Sequence, residues 1–368
     1  MTQEFENGLF PIEKKESNYS RFNPFNHGTT SVNFQEVELE KFGYLSIILR
    51  NGWGIIEIDS IAQVSEGAEK SSNNFRVALG NKNYLLKESH INDPQTQKLV
   101  NDFITLLAEN GMPVASIILT NSGESFYSQA RAFCLYDFID GERFDGSQKE
   151  LKEVAKKLAW FHKFTLENPL IDQVKLKGTL IGHDWQLLES LIPLVKLRAG
   201  NSEFEKKVAD SIDLVLEISN TVRIANLDQL PFQVIHRDVH PHNLLFDKSF
   251  HDLLAFLDFD PIVYSQRLRD LVFAMHRLSR TFGEQTERKN DLGIDIRVRA
   301  REFLKSYLEV NPLTDLELSK IVAMIRDEEL KRFIDTINGY YLKNDRTWDF
   351  DLEKHLTCLQ EAELFDFS

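Results

Sequence analysis

The chain has 368 residues, of which 42% are hydrophobic and 27% are charged, a composition typical of soluble globular proteins. This length favours two lobes over one continuous core. Aspartate and glutamate together number 57 against 43 lysines and arginines, which gives a net charge of -14. Because this is the wrong sign for charge-driven binding to nucleic acid or to an anionic membrane, we expect neither as a partner.

The cysteines and the first residues indicate the compartment. Cys134 and Cys358 are far apart and lack metal-ligand spacing, so neither a disulfide framework nor a zinc site is expected. The N-terminus opens with acidic residues and leads into no apolar run, and no later stretch has the length of a membrane span. We therefore expect a cytoplasmic protein.

Residues 1 to about 42 are polar and show no clear period, so we expect an irregular arm. Short β-branched runs follow at 55–58, 74–79 and 84–87, with a Gly80-Asn81 turn between the last two. These runs predict antiparallel strands that include a hairpin.

A helix is predicted next, with Asp93 as its cap, Pro94 in its first turn and Gly111 at its end. A strand is predicted at 132–138. Because helical periodicity dominates after it, we expect an N-terminal lobe over 1–135, a hinge at 136–140 and a helical C-terminal lobe over 141–368.

The C-terminal lobe is predicted to begin with a helix whose capping box is formed by Ser147 and Glu150. Further helices are predicted at 185–196, 203–218, 268–281, 295–309, 315–344 with a break, and 351–364. The expected fold class is therefore α+β, with a small antiparallel-sheet N-lobe before a larger, mainly helical C-lobe.

The sharpest motif lies at 234–246 and is followed by a second one at 256–260. The first contains His236-Arg237-Asp238 with Asn243 five residues after the aspartate, and the second places Asp258 after a short apolar strand. Phosphoryl transfer from ATP needs a carboxylate beside the acceptor hydroxyl and oxygen ligands that hold Mg²⁺ against the phosphates. The spacing matches the kinase catalytic loop and metal motif.

The sequence resembles the aminoglycoside phosphotransferase and choline kinase family, which has a protein-kinase-like two-lobed fold. The resemblance rests on His240-Pro241-His242-Asn243, on Leu257-Asp258-Phe259-Asp260 and on Asp270 within Arg269-Asp270-Leu271, and it spans roughly residues 64–365. It implies an ATP- and Mg²⁺-dependent phosphotransferase. In that family pattern Asp238 is the catalytic residue, Asn243 and Asp258 are the magnesium ligands, and His236 and Asp270 support the loop.

Nucleotide contacts are expected upstream of these motifs. Lys87 stands where a kinase-like strand carries the lysine that orders the phosphates, and its best-placed acidic partner on the next helix is Asp102. Because no glycine-rich phosphate motif is present, segment 65–73 with Gly67, Ser71, Ser72 and Asn73 is expected to hold the phosphates. The resemblance implies that the carbonyl of Asp137 and the N–H of Ile139 meet the adenine, with Tyr136 beside the base.

Three alternatives stay open at this stage. His236, Asp238, His240 and His242 are suited to a transition-metal site of a metallohydrolase, although Pro241 interrupts the strand that would aim the imidazoles. A binding protein that keeps the kinase fold without its chemistry is the second. A protein kinase of the same fold is the third, since Arg237 follows His236 as in that class.

The segment after Asp258 favours a small acceptor over a protein. Only a short run separates Asp258 from the helix with Asp270, and it contains no Ala-Pro-Glu, so there is little chain for a peptide platform. The resemblance implies an amino sugar, a sugar, an amino alcohol such as choline, or a homoserine-like amino acid. We expect the acceptor pocket between the catalytic loop and the late helices, with these candidates for its lining: Tyr340, Tyr341, Arg346 and Trp348.

Overall fold

A computed structural model describes residues 31–64, 73–166, 170–280 and 292–367. Its first part is one antiparallel sheet with two helices. The strands are β1 (Phe34–Glu36), β2 (Ser60–Val64), β3 (Asn73–Leu79), β4 (Lys82–Glu88), β5 (Ile117–Ile118), β6 (Tyr127–Ser128) and β7 (Ala132–Asp137), and the helices are α1 (Leu39–Trp53) and α2 (Pro94–Glu109). The strand order is β1-β2-β3-β4-β7-β5, with β6 also paired to β7.

The second part is mainly helical and carries two small sheets. Its strands are β8 (Glu142–Arg143), β9 (Phe232–Ile235), β10 (Leu244–Phe246), β11 (Leu253–Phe256) and β12 (Val263–Gln266), paired in the orders β11-β10-β8 and β12-β9. Its helices are α3 (Gln148–Thr165), α4 (Ile171–Lys177), α5 (Trp185–Arg198), α6 (Glu203–Arg223), α7 (Arg267–Ser279), α8 (Leu292–Leu308), α9 (Asp315–Leu318), α10 (Ile321–Asn338) and α11 (Leu352–Glu361). The predicted α+β architecture, a small sheet before a helical part, is confirmed.

The helix starts follow local capping chemistry. Asp93 accepts a hydrogen bond from the backbone N–H of Thr96 at 2.8 Å, which caps α2. Ser147 caps α3 in the same way through the N–H of Glu150. The predicted capping box is wrong in its second half, because the Glu150 carboxylate accepts from the N–H of Asp145 rather than from that of Ser147.

Three regions of the chain differ from the sequence predictions. The expected irregular arm instead contains β1, and α1 already begins at Leu39, where Leu45, Ile48 and Leu49 form a buried stripe. Residues 55–58 are not a strand; they follow the left-handed Gly54 that ends α1, and the chain pairs only from Ser60 onward. The short helix α4 was not predicted.

The buried hydrophobic residues form two clusters. The smaller joins α1 to the sheet through residues such as Ile48, Phe75 and Leu135. The larger cluster fills the helical part and also includes Leu99 and Phe103 of α2. Through this cluster, α2 of the first part is packed against the helical part. None of the helices in the described ranges is long and apolar enough to cross a membrane.

Candidate active site

A cleft of about 1340 Å³ opens between the sheet and the helical part. Its lining includes Lys87 from β4, Asp137 from the end of β7, and the three motif residues Asp238, Asn243 and Asp258. The sheet and the helical part therefore bring together residues that are up to 171 positions apart in sequence.

The loop after β9 carries Asp238 and Asn243. The amide of Asn243 donates to the carboxylate of Asp238 at 3.0 Å and to its backbone carbonyl at 2.9 Å. Nε2 of His240 lies 3.3 Å from the same carboxylate. Burial alone would raise the pKa of Asp238, but His240 and Arg332 hold it well below its usual range, so the side chain is ionised and accepts hydrogen bonds.

Asp270 on α7 fixes the backbone of this loop. Its two carboxylate oxygens accept from the backbone N–H groups of His236 at 2.9 Å and Arg237 at 2.7 Å, and Nε2 of His162 lies 3.0 Å away. Arg237 has a φ of 73°, a left-handed conformation that costs a non-glycine residue energy. The buried carboxylate therefore stabilises a strained turn directly before Asp238.

His236 joins the two motifs. Its Nε2 donates to the carbonyl of Leu257 at 3.0 Å, and its Nδ1 accepts from the N–H of Asp238 at 3.3 Å. Its ring also packs against Phe259, with centroids 4.6 Å apart. The buried imidazole of His236 thus holds the catalytic loop and the metal motif next to each other in the structure.

Asp258 and Asn243 carry oxygen atoms of the kind that magnesium ions bind. Asp258 has a φ of 56°, a left-handed conformation at the start of the turn after β11. Because the NH₂ group of Asn243 points at Asp238, its amide oxygen faces away, and no described residue donates to it. A carboxylate and an amide oxygen are ligands that Mg²⁺ prefers, so the donor set is suitable for that ion.

Lys87 contacts the metal motif directly. Its Nζ lies 2.9 Å from Oδ1 of Asp258 and 2.8 Å from Oδ2 of Asp260. Burial alone would lower the pKa of Lys87, but these two carboxylates hold it above its usual value. The ammonium therefore stays charged within the cleft.

The expected pairing of Lys87 with Asp102 is wrong. Asp102 faces outward from α2 and binds Lys98 one helical turn earlier at 2.9 Å. The buried face of α2 instead presents the amide of Asn101, which donates towards the Sγ of Cys134 at 3.5 Å, and Cys134 is the register partner of Lys87 on β7. The helix thus offers a neutral amide at the place where an acid was expected.

Some of the predicted nucleotide-binding residues lie in the described part of the chain and others do not. Asp137 and Ile139 both line the cleft where the sheet meets the helical part, and no described residue bonds to the N–H of Ile139. Ser71, with Gly67 and Ser72, lies outside the described residues. Asn73 begins β3, opposite Glu88 on β4.

A second lysine, which the sequence reasoning missed, supports the turn after the metal motif. Lys177, at the end of α4, donates to the backbone carbonyl of Asp260 and to that of Ile262 at 2.8 Å. Burial lowers the pKa of Lys177 to about 8. A lysine that ends a short helix gives no sequence signal for this role, because its partners are main-chain carbonyls.

The acceptor candidates divide into two groups. Trp348 lines the cleft. The other three do not: Tyr340 stacks on Phe204 with ring centroids 4.3 Å apart, Arg346 lies over the Tyr340 ring at 4.8 Å, and Tyr341 packs under Arg198 at 5.1 Å. They form a side cluster, and residues of α7, α10 and α11 line the cleft instead.

The histidines of the loop do not form a metal cluster. Among the described residues, the groups of His, Cys, Asp and Glu that are close enough to hold an ion are His276/Glu329/Cys358 and Asp145/Glu150/His251. Neither includes His236, His240 or His242. The first group already holds Arg277, which donates to Glu329 and to Cys358, so a cation is present there in the form of a side chain.

The molecule has a sheet-bearing lobe and a helical lobe, and the cleft between them contains Asp238, Asp258 and Lys87. This arrangement is that of a protein-kinase-like phosphotransferase. Residues 60–303 match the model of the phosphotransferase enzyme family, which is more than half of the chain. The chain belongs to this family and is a phosphotransferase. Among curated proteins, no match to the chain was found.

Solved structures show the same fold. Spectinomycin phosphotransferase in complex with ADP and spectinomycin is 15% identical, with a TM-score of 0.66 over 88% of this chain and 97% of that chain. The microcompartment-associated aminopropanol kinase is 13% identical, with a TM-score of 0.63 over 88% and 96%. Ethanolamine kinase from Plasmodium vivax is 14% identical, with a TM-score of 0.57 over 97% and 95%.

Proposed function

We propose that this phosphotransferase moves the γ-phosphoryl group of ATP to the hydroxyl group of a small molecule, with Mg²⁺ as its metal cofactor. The observation that carries this proposal is the convergence of two hydrogen-bonded pairs in one cleft, Asp238 with Asn243 and Lys87 with Asp258. Phosphoryl transfer is catalysed mainly by positioning and electrostatics, and these pairs supply both.

The nucleotide is assigned to the sheet side of the cleft. Segment 136–140 acts as the hinge between an N-terminal lobe up to residue 135 and a C-terminal lobe from 141. The carbonyl of Asp137 and the N–H of Ile139 bind the adenine edge. Ser71 and Asn73 belong to the segment that covers the phosphates, and Lys87 orders them by charge.

Asn243 and Asp258 are the residues that would hold Mg²⁺. When bound, the ion neutralises the negative charge that develops on the phosphate oxygens during transfer. The Asn243 amide is well oriented for this role, because its NH₂ group is already used by Asp238 and its oxygen is left for a cation.

Asp238 acts on the acceptor. Its ionised carboxylate accepts a hydrogen bond from the acceptor hydroxyl and aims the oxygen at the γ-phosphorus. The new P–O bond forms as the bond to the bridging oxygen of ADP breaks, and the hydroxyl proton passes to Asp238. Because its pKa is low, Asp238 is a weak base and takes the proton late, after the oxygen has lost electron density to phosphorus.

His236 and Asp270 support this chemistry without touching the reactants. Asp270 holds the backbone at Arg237, and His236 holds Leu257 beside Asp258. Together they keep the base and the metal ligand at a fixed separation.

A small acceptor is supported by the segment that follows Asp258. β12 begins at Val263 and pairs with β9, and α7 begins at Arg267, so no length of chain remains for a peptide platform. The similar structures named above act on small hydroxyl compounds according to their names. Amino sugars, sugars, amino alcohols and homoserine-like amino acids are the acceptor classes we propose.

The test is ATP consumption by the purified chain with Mg²⁺ across a panel of these four acceptor classes, with mass spectrometry of the product. We expect one class to gain a single phosphoryl group, and the Asp238→Asn variant to form this product at least ~100-fold more slowly. If a co-purifying protein is labelled in an Asp238-dependent way while no small compound reacts, the chain is a protein kinase. If ATP is not consumed at all while it still binds, the chain is a binding protein.

A further inference from the structure

The half of the cleft beyond Asp238 is lined by positive charge. The residues that α7, α10, α11 and the turn before α11 contribute to the lining are Phe273, Arg277, Arg332, Trp348, Phe350, Asp351 and Lys354, with three cations against one acid. Glu142 and Arg143 of β8 also line the cleft and add one charge of each sign. Since acids outnumber bases in the chain as a whole, this local excess of cations runs against the average composition.

Arg332 is built like an anion receptor. Its Nε donates to Glu328 at 2.9 Å from behind, and its guanidinium lies 4.4 Å above the ring of Phe273. Both contacts fix the plane of the group. No described residue accepts a hydrogen bond from its two terminal NH₂ groups, and these form the paired donor edge that matches a carboxylate or a phosphate.

Arg277 and Lys354 extend the same surface. Arg277 lies 5.0 Å from the ring of Phe273, so this ring contacts two guanidinium groups. Lys354 is largely buried and reaches Asp351 only at 3.5 Å. Burial and the charge of Arg277 lower the pKa of Lys354, the behaviour of an ammonium that is incompletely neutralised by its surroundings.

Asp238 and Asp351 are carboxylates of the cleft lining that interact with these cations, and two further carboxylates, Glu328 and Glu329, lie outside the lining. Glu328 also binds Arg269 at 3.0 Å, and Glu329 also binds His355 at 2.9 Å. Both carboxylates are buried and divide their charge between two partners. They hold Arg332 and Arg277 in place while the cleft-facing side stays positive.

We propose that the acceptor carries an anionic group, a carboxylate or a phosphate, besides the hydroxyl that is phosphorylated, and that Arg332 and Lys354 bind this group, with the buried guanidinium of Arg277 adding positive charge beside them. The proposal rests on the proposed function, because it takes the acceptor to lie beside Asp238. An anion at this position offsets the repulsion among three close cations, whereas a choline-like or amino-sugar cation adds to it. Trp348 and Phe350 offer faces for the rest of the molecule.

The test uses four compounds with one shared three-carbon skeleton: glycerate, glycerol 3-phosphate, glycerol and 3-amino-1,2-propanediol. Their equilibrium affinities are measured by calorimetry with Mg²⁺ and a non-hydrolysable ATP analogue, and ADP formation is measured separately with ATP. We expect one of the two anions to bind best, which also tells a carboxylate site from a phosphate site. Arg332→Gln should weaken that binding roughly 10- to 100-fold, the usual cost of a charge-assisted hydrogen bond.

Lys331→Gln is the matched control. It removes one positive charge from the next position of α10, where Lys331 binds Asp335 at 2.8 Å and does not line the cleft. We expect it to leave anion binding unchanged. The inference is overturned if neither anion binds, if glycerol or the amine binds at least as tightly, or if both variants weaken the anion equally. Anion binding that depends on Arg332 without any ADP formation would support the anion site but overturn its assignment to an acceptor, together with the proposed function.

Discussion

Nζ of Lys87 lies 2.9 Å from Oδ1 of Asp258, so the proposed phosphate-binding lysine and the proposed metal ligand are joined directly. Asp260 completes this contact at 2.8 Å. A metal ion bound at Asp258 would therefore compete with the ammonium for the same carboxylate, and Asp260 would remain for Lys87. We therefore expect the contacts among Lys87, Asp258 and Asp260 to change when nucleotide and metal bind.

Asp258 and Asp260 form a matched pair for testing the metal assignment. Each variant, Asp258→Asn or Asp260→Asn, removes one carboxylate from Lys87, but only Asp258 is proposed to bind Mg²⁺. We expect Asp258→Asn to abolish the gain in ATP affinity that Mg²⁺ gives the unmodified protein, and Asp260→Asn to keep most of it. ATP titrations with and without Mg²⁺ measure this. The opposite result would assign the metal to Asp260.

Asp238→Asn should lower kcat by ~100-fold or more, with ATP affinity nearly unchanged, because the lost carboxylate acts on the acceptor rather than on the nucleotide. Asp252→Asn is the control, since Asp252 is exposed and binds only Lys149 outside the cleft. It should leave kcat unaltered. Near-normal turnover of Asp238→Asn would contradict the assigned role.

The site residues that are close to one another in the sequence could be predicted from it. His236, Asp238, Asn243 and Asp258 lie within 23 positions, between apolar strands whose pairing fixes their separation. Lys87 was predicted from its position on the second strand of the hairpin and from its order before the other motifs. Asp102 was chosen as the partner of Lys87 because its charge suits a lysine, whereas the orientation of α2 decides which residues face inward, and Asn101 rather than Asp102 is buried.

Asp270→Asn should lower the free energy of unfolding by about 1–3 kcal/mol, because one backbone N–H of the loop would then face an NH₂ donor instead of an oxygen. Asp335→Asn, at an exposed position of α10, should change it by less than about 0.5 kcal/mol. Denaturant unfolding measures both. Equal effects of the two variants would mean that Asp270 does not hold the loop.

The cationic half of the cleft was not predictable from sequence. Arg277, Arg332 and Lys354 come from three different helices, and each looks like an ordinary surface residue in its own helical pattern. Their convergence depends on how α7, α10 and α11 pack together, which no local motif encodes. For the same reason Tyr340 and Tyr341, which look like pocket residues by composition, pack elsewhere.

Asp327 gives a pH-dependent prediction. It accepts hydrogen bonds from the buried Arg269 and from Nδ1 of His183, the latter at 2.6 Å. Burial alone would raise the pKa of Asp327, but Arg269 and His183 lower it to about 2, below the ordinary value of 3.8. The unfolded chain then binds the proton more readily, so the stabilisation is complete above the ordinary pKa and is lost as pH falls through about 2.

We therefore expect the difference in unfolding free energy between the unmodified protein and Asp327→Asn to shrink by on the order of 2 kcal/mol between pH 6 and pH 2. Denaturant titrations at a series of pH values measure it. A difference for Asp327→Asn that is constant over this range would show that the carboxylate gains nothing from its partners.

The last prediction separates Lys87 from Asp102. Lys87→Ala should reduce kcat/KM for ATP by ~100-fold or more while the protein stays folded, because the side chain is proposed to order phosphates and its ion-pair partners are Asp258 and Asp260 of the cleft lining. Asp102→Asn should change kcat/KM by less than about twofold, since the exposed ion pair with Lys98 at 2.9 Å is worth little. The double variant should then match Lys87→Ala alone. If Asp102→Asn lowers activity in the unmodified background but adds nothing to Lys87→Ala, the two residues are coupled during turnover, and α2 must rotate to bring the acid inward when the nucleotide binds.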